Sequence, residues 1–145
     1  MQPQGEHLVL DDHHLHLLVG ERNKKLHEVW GWRTDPDRID YCRACGGSGS
    51  ECEGCENSHG PELWPENAGA WRLWRGMSTQ WRSSGFGVIG LDYSVIRETA
   101  AMLLPPVDYT PRTFAKLRAL EQAELERQRE RMEEARRSTK PGAGT

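Results

Sequence analysis

The stretch that decides the fold is residues 63–106, which read LWPENAGAWRLWRGMSTQWRSSGFGVIGLDYSVIRETAAMLLPP. Trp71, Trp74 and Trp81 recur within it at spacings typical of one helix face. A run of glycines then interrupts this helix, and Asp92 is a suitable N-cap for a second one, which two prolines end. We therefore expect a helical hairpin whose apolar faces pack together. The apolar face of the second helix comprises Val95, Ile96, Thr99, Met102 and Leu103.

Three short motifs lie within the same stretch. W-P-E-N begins at Trp64, T-Q-W-R begins at Thr79, and G-L-D-Y begins at Gly90. With this spacing, the run resembles a small family from tailed bacteriophages and prophages. The resemblance implies a tail assembly chaperone or similar accessory protein that acts with the tape measure and tube subunits. The motif or partner-binding set comprises Trp64, Trp71, Trp74, Thr79, Gln80, Trp81, Arg82, Asp92 and Tyr93.

The motif side chains have two interpretations. Arg82 can bind a carboxylate of a partner or stack on an aromatic ring. It can equally pair with Asp92 while Gln80 bonds the backbone of the glycine turn, which would lock the hairpin internally. The tryptophans are interpreted first as core residues, and partner contact is the alternative.

All four cysteines fall in one short segment, CRACGGSGSECEGC, at Cys42, Cys45, Cys52 and Cys55. Two C-x-x-C pairs in a reducing compartment favour a tetrahedral zinc ion over disulfides. The first pair with its glycines also resembles the C-x-x-C-x-G-x-G repeat of J-domain co-chaperones. Free thiols in a loop and an iron–sulfur cluster are the alternatives. His59 could replace one cysteine, but with four thiols available we expect it to be a bystander. A zinc ion with four thiolates has no open position, so its role would be structural.

The first forty residues are the least informative part of the sequence. His13, His14 and His16 suggest either a second metal site or incidental histidines in alternating strand residues. Trp30 and Trp32, which precede Asp-Pro-Asp, suggest an exposed loop that leads to the cysteines.

The C-terminal part predicts a long helix. Thr110 followed by proline is typical of a helix start, and no helix breaker occurs for over twenty residues. Glu124 with Arg127, and Glu133 with Arg136, are expected ion pairs. The apolar stripe, dense at first and sparse later, comprises Phe114, Leu117, Leu120 or Glu121, Leu125, Met132 and Ala135. The first half is therefore expected to dock on the hairpin or a partner, and the second half to be solvated.

Composition limits the possible functions. Hydrophobic residues make up 36% of the 145 residues, against a norm of roughly 45–50%, and the net charge is -3. The charge provides no overall attraction for nucleic acid or an anionic membrane. Signal-peptide and membrane-helix patterns are absent from the sequence, which predicts the host cytoplasm, with association with the virion as a further possibility. No catalytic motif is present, so we expect a protein that is not an enzyme.

Together these observations predict a mainly α protein. It would contain a poorly defined segment 1–40, a zinc-knuckle segment 41–60, a helical hairpin 61–106 and a C-terminal helix with a disordered tail in 107–145. The expected function is tail assembly, through binding of tape measure or tube proteins, with structural zinc. A zinc-stabilised nucleic-acid-binding or regulatory module and a structural tail-completion protein are the alternatives.

Overall fold

The computed structural model describes residues 12–47 and 52–139. It is mainly helical, as the sequence predicts, with one small antiparallel sheet in the described residues. In chain order the elements are helix α1 (Asp12–Thr34), helix α2 (Pro36–Cys45), helix α3 (Pro65–Gly76), strand β1 (Trp81–Ser84), strand β2 (Gly87–Leu91), a short 3₁₀ helix (Tyr93–Val95), helix α4 (Ile96–Met102) and helix α5 (Pro111–Ser138).

The predicted helical hairpin is wrong in its central part. Helix α3 begins at the expected proline but ends at Gly76, and Trp81 lies on strand β1 instead of the same helix. The turn between them is closed by the Gln80 amide, which donates to the Met77 carbonyl at 2.9 Å. Thr79 and Gln80 therefore lie in a turn and not on a helix beside the tryptophan.

A β-hairpin replaces the expected glycine turn. Trp81 pairs with Leu91 and Ser84 with Gly87, and the register shifts after Arg82. Glycine and serine have poor helix propensity, whereas glycine readily adopts the positive φ angles found in this segment. The tryptophan spacing therefore continues past the point where the chain can remain helical.

The predicted cap at Asp92 is confirmed, although it caps a shorter element. Its carboxylate accepts hydrogen bonds from the Ser94 amide and hydroxyl, at 2.9 and 2.6 Å. These bonds lower the pKa of Asp92. Helix α4 follows and ends before the two prolines, as expected, with Ile96 and Ala100 buried. Met102, predicted on the apolar face, is 83% exposed.

Helix α5 begins where the sequence predicts. The Thr110 hydroxyl accepts from the Thr113 amide at 3.2 Å, and Leu117 and Leu120 are fully buried. Its first half packs on α3, on α1 and on strand β2, whereas side chains beyond Gln128 are exposed.

The expected ion pairs of this helix are confirmed in one of two cases. Glu124 pairs with Arg127. Glu133 pairs with Arg137, at 3.6 Å, and not with Arg136. Both contacts fit the i+3 and i+4 neighbours of a helix surface.

The N-terminal prediction of strand residues and an exposed loop is also wrong. Residues 12–34 form α1, and Leu26 and Val29 are buried against Trp71 and Leu120. Trp30 packs beside this group and is half-buried. The histidines His13, His14 and His16 fall on the backbone of α1, but their side chains lie outside the described part.

Two groups of buried residues form the core. One joins α3 to the sheet, α4 and α5, and comprises Leu73, Met77, Leu91, Ile96, Ala100, Val107 and Leu117. The other joins α1, α3 and α5 through Leu26, Val29, Trp71 and Leu120. Trp74 contacts both groups. Among residues 12–47 and 52–139, no helix is long and apolar enough to cross a membrane.

Candidate functional site

A buried carboxylate on α5 organises the G-L-D-Y segment. Glu121 is only 1% exposed. It accepts hydrogen bonds from the Leu91 amide and the Tyr93 hydroxyl, both at 2.7 Å, and pairs with Arg118 at 2.5 Å. A buried charge is tolerated where hydrogen bonds and a counter-charge satisfy it. This carboxylate therefore fixes the chain between β2 and the 3₁₀ helix against α5.

The surroundings of Glu121 explain two neighbouring motif residues. Gly90 has a φ of +154°, and a Cβ there would stand 2.8 Å from a Glu121 oxygen. Only glycine fits both constraints. Burial, together with the hydrogen bond to Glu121, raises the pKa of Tyr93. The motif thus has a structural use that does not require a partner.

The remaining motif residues lie at different depths. Trp64 is the N-cap of α3 and is 37% exposed, whereas Asn67 is fully buried. Trp71 is buried, and Trp74 meets Trp81 edge to face with ring centroids 5.8 Å apart. Thr79, Gln80 and Arg82 are exposed. The predicted pairing of Arg82 with Asp92 is not among the ion pairs of the described residues, although the Arg82 charge helps to lower the pKa of Asp92.

Three of the predicted tryptophans meet at one cavity of about 580 Å³. Helices α1, α2, α3 and α5 and both strands contribute to its wall. We name it the tryptophan–arginine cavity; its lining residues are Trp30, Arg33, Thr34, Arg38, Trp71, Trp74, Arg75, Met77, Ser78, Trp81, Leu91 and Glu124. Its volume falls within the roughly 300–1,000 Å³ of typical ligand sites.

The charged side chains of this cavity are mainly cationic. The Arg33 guanidinium lies 5.1 Å from the Trp71 ring centroid. Arg38 donates to the Trp32 carbonyl at 2.7 Å and lies 4.0 Å from that indole's ring centroid. Arg75 is exposed. In the described part of the chain, none of these three arginines forms an ion pair with a carboxylate.

Two indole donors of the cavity wall lack hydrogen-bond partners. The Nε1 atoms of Trp30 and Trp71 are buried and have no acceptor within the described residues. Trp71 as a whole is 6% exposed. A buried unpaired donor costs about 1–3 kcal/mol. These two indole N–H groups are closed to solvent, so they are a cost of the packing around the cavity and the arginines are its accessible donors.

The predicted zinc ligands lie on two separate turns. Cys42 and Cys45 lie on the last turn of α2 and are exposed, and Arg38 donates to the Cys42 sulfur at 3.9 Å. Cys52 and Cys55 are half-buried in a turn in which the Cys55 amide donates to the Cys52 carbonyl at 3.2 Å. The structure thus places each pair on its own turn.

The glycines of this segment fit the metal-knuckle prediction in part. Gly46 and Gly54 have φ angles of +63° and +83°, as expected for tight turns around the cysteines. His59 bonds Ser58 and the Cys55 carbonyl through Nδ1. Within residues 12–47 and 52–139, however, no group of three or more potential ligands is gathered at one point.

Sequence reasoning missed several residues of these sites. Arg33 and Arg38 lie in the segment interpreted as poorly defined or loop, so nothing connected them to the tryptophans. Glu121 did carry a signal, because a carboxylate interrupts an apolar helical stripe at that position. Such a residue in a buried stripe needs partners.

Comparison with known proteins identifies the class. Residues 55–128, just over half of the chain, match a phage-related family. The chain belongs to that family, described as "Phage related hypothetical protein (DUF1799)". The matched range includes α3, the β-hairpin, α4 and the packed half of α5. No curated protein and no solved structure shows a match.

Proposed function

We propose that this phage protein is a tail assembly factor, similar to a chaperone, that binds tape measure or tube subunits in the host cytoplasm. Family membership supports the phage setting, and the W-P-E-N, T-Q-W-R and G-L-D-Y motifs resemble those of tail-gene proteins. The observation that carries the proposal is the tryptophan–arginine cavity. It offers apolar surface and guanidinium donors, and eight of its twelve lining residues lie in the phage-family region.

The cavity suits transient binding of an unassembled segment. Aromatic rings and arginines are the residues that contribute most to protein interfaces. Rings held by core packing lose little further freedom when a partner binds. Trp71 belongs to one core group and Trp74 packs against both, so packing holds these two rings in place before any partner arrives.

The proposal is tested in a phage that lacks this gene. Electron microscopy of lysates should show heads without normal tails, and the gene supplied in trans should restore them. An affinity-tagged copy should recover the tape measure or tube protein from infected cells before tails form. Normal tails in the absence of the gene would overturn the proposal.

The same experiment separates a transient factor from a structural tail-completion protein. A chaperone-like factor should be absent from purified virions, whereas a completion protein would remain at a fixed copy number per particle. The tagged copy, followed by immunoblotting of banded particles, distinguishes the two.

The nucleic-acid alternative would need the arginines beside the tryptophans, Arg72, Arg75 and Arg82, as a common set of phosphate contacts. Arg72 donates to the Pro105 carbonyl, and Arg82 lies on strand β1. Together with Arg75, they do not follow one helix face. The expectation that the protein is not an enzyme remains a prediction.

The proposed function includes a structural zinc ion held by Cys42, Cys45, Cys52 and Cys55. Two C-x-x-C turns, each with an adjacent positive-φ glycine, support it. The ion would join the end of α2 to the turn that precedes α3, without taking part in chemistry.

Metal analysis of protein purified under reducing conditions tests the zinc site. We expect about one zinc per chain. Replacing Cys42 and Cys45 with serine should abolish it, and cobalt substitution should give the absorption bands of tetrahedral thiolate ligation. As a control, changing Ser83, an exposed serine of strand β1, to alanine should leave the metal content unchanged. A zinc content near zero in the unaltered protein would contradict the assignment.

A further inference from the structure

The tryptophan–arginine cavity has a charge opposite to that of the protein. The whole chain has a net charge of -3. Around the cavity, however, Arg33, Arg38 and Arg75 contribute three positive charges from α1, α2 and α3. The carboxylate among the lining residues, Glu124, already accepts hydrogen bonds from Arg127 and Gln128. An anionic occupant would therefore meet guanidinium groups that no described carboxylate neutralises.

The wall between these arginines is apolar. Trp74 and Trp81 meet edge to face, and Met77 and Leu91 continue the surface into the core. Such a wall contacts aliphatic or aromatic side chains. A guanidinium group binds a carboxylate through paired N–H donors. The cavity thus combines two requirements for its occupant: an apolar side chain and a nearby carboxylate.

We propose that the tryptophan–arginine cavity binds an acidic, apolar peptide segment of a partner protein, with its carboxylates on Arg75 and Arg33 and its apolar side chains against the tryptophans, while Arg38, whose nitrogens already donate within the chain, adds positive charge nearby. That this partner is a tail protein rests on the proposed function. Binding of the segment itself does not, because it follows from the charge and shape of the cavity.

A peptide fits these observations better than a nucleic acid does. Base stacking needs accessible ring faces. Trp71 is buried, its nearest guanidinium already lies over it, and Trp74 is packed against Trp81. Nucleic acid also carries a phosphate charge every few ångströms, which would meet the overall negative charge of the chain beyond the cavity.

Two synthetic peptides test the proposal with the purified full chain. One is a short amphipathic peptide of Glu, Leu and Ala, and the other has Gln in place of Glu. Tryptophan fluorescence should change on adding the Glu peptide, and its dissociation constant should be at least about tenfold lower than that of the Gln peptide. The difference should shrink as salt rises, because exposed charges are screened.

Charge reversal at the rim identifies the site. Arg75→Glu should weaken binding of the Glu peptide at least about tenfold and remove its preference over the Gln peptide. The matched control is Arg112→Glu. Arg112 is exposed on the first turn of α5, twelve positions before Glu124, or about 18 Å along the helix. The control should bind like the unaltered protein, and circular dichroism should show both variants folded.

Three results would overturn the proposal. One is equal affinity for the two peptides, or binding of neither. The second is an equal loss of binding in the Arg75 and Arg112 variants. The third is tighter binding of a single-stranded oligonucleotide than of the Glu peptide, if Arg75→Glu abolishes that oligonucleotide binding. This result would assign the cavity to nucleic acid. Tail formation in the gene-deleted phage is measured separately, so failure of peptide binding and failure of the assembly function remain distinguishable.

Discussion

Replacing Glu121 with alanine should strongly destabilise the fold. The change removes the acceptor of the buried Leu91 amide, which costs about 1–3 kcal/mol. It also removes buried side-chain volume, at about 0.8 kcal/mol for the lost methylene. Tyr93 is half-buried and the Arg118 side chain is 45% exposed, so water can replace the carboxylate as the partner of both. The loss of these two contacts therefore adds little to the destabilisation. The expected total is about 3 kcal/mol.

Thermal unfolding followed by circular dichroism measures this effect. For a chain of 145 residues the unfolding entropy is about 0.3 kcal/mol/K, so about 3 kcal/mol corresponds to a fall in Tm of about 10 °C. Glu121→Gln should lose about 1 kcal/mol, because its amide oxygen can still accept from Leu91. The matched control is Glu126→Ala on the exposed side of the same helix, which should stay within about 0.5 kcal/mol of the unaltered protein. Equal melting of the Glu121→Ala and Glu126→Ala proteins would refute the structural role of this carboxylate.

Three further changes test other parts of the fold. In urea unfolding, Gly90→Ala should destabilise the protein by about 2 kcal/mol or more, because its φ is +154° and a Cβ would meet a buried carboxylate oxygen. The control is Gly85→Ala, where a Cβ would meet no atom within 4 Å, and it should be nearly neutral. Leu73→Ala should cost about 2–5 kcal/mol in the same assay, since the side chain is fully buried, whereas Met102→Ala at an exposed position should change little. The raised pKa of Tyr93 keeps its phenol neutral in the folded state while the unfolded chain ionises near the ordinary value of 10.0. The free energy of unfolding should therefore fall as pH rises above about 10. Urea midpoints measured at pH 8 and above pH 10 should show this fall, and the fall should be smaller in Tyr93→Phe. An equal fall in the variant and the unaltered protein would contradict the burial of the phenol.

Much of the helical framework could be predicted from local signals. Thr110 and the proline after it mark the start of α5, and Asp92 marks a cap, because these residues act within a few positions of themselves. Pro65 likewise marks the start of α3. These signals do not depend on distant parts of the chain, so their predictions hold.

The β-hairpin and the packing of α1 could not be predicted in the same way. Trp81 continues a helical spacing, and only its pairing with Leu91 places it on a strand. Leu26 and Val29 are buried because Trp71 and Leu120 cover them, which is a contact between residues far apart in sequence. Tertiary packing of this kind overrides local pattern.

The cavity was missed for the same reason, although its tryptophans were singled out. Arg33 and Arg38 reach it only because α1 packs across α3 and α5. The four cysteines remain a prediction from spacing, since their two turns are described separately and the residues between them lie outside the described part.

The position of Glu121 also bears on how the protein is made. Synthesis runs from the N-terminus, so α1, α3 and the β-hairpin leave the ribosome before α5 does. Until then the Leu91 amide has no carboxylate to bond, and Leu26 and Trp71 lack the cover of Leu120. The last described helix therefore completes both core groups at once. A nascent chain cannot reach its stable form ahead of the first half of that helix, and messages that end before Glu121 would yield chains open to proteolysis.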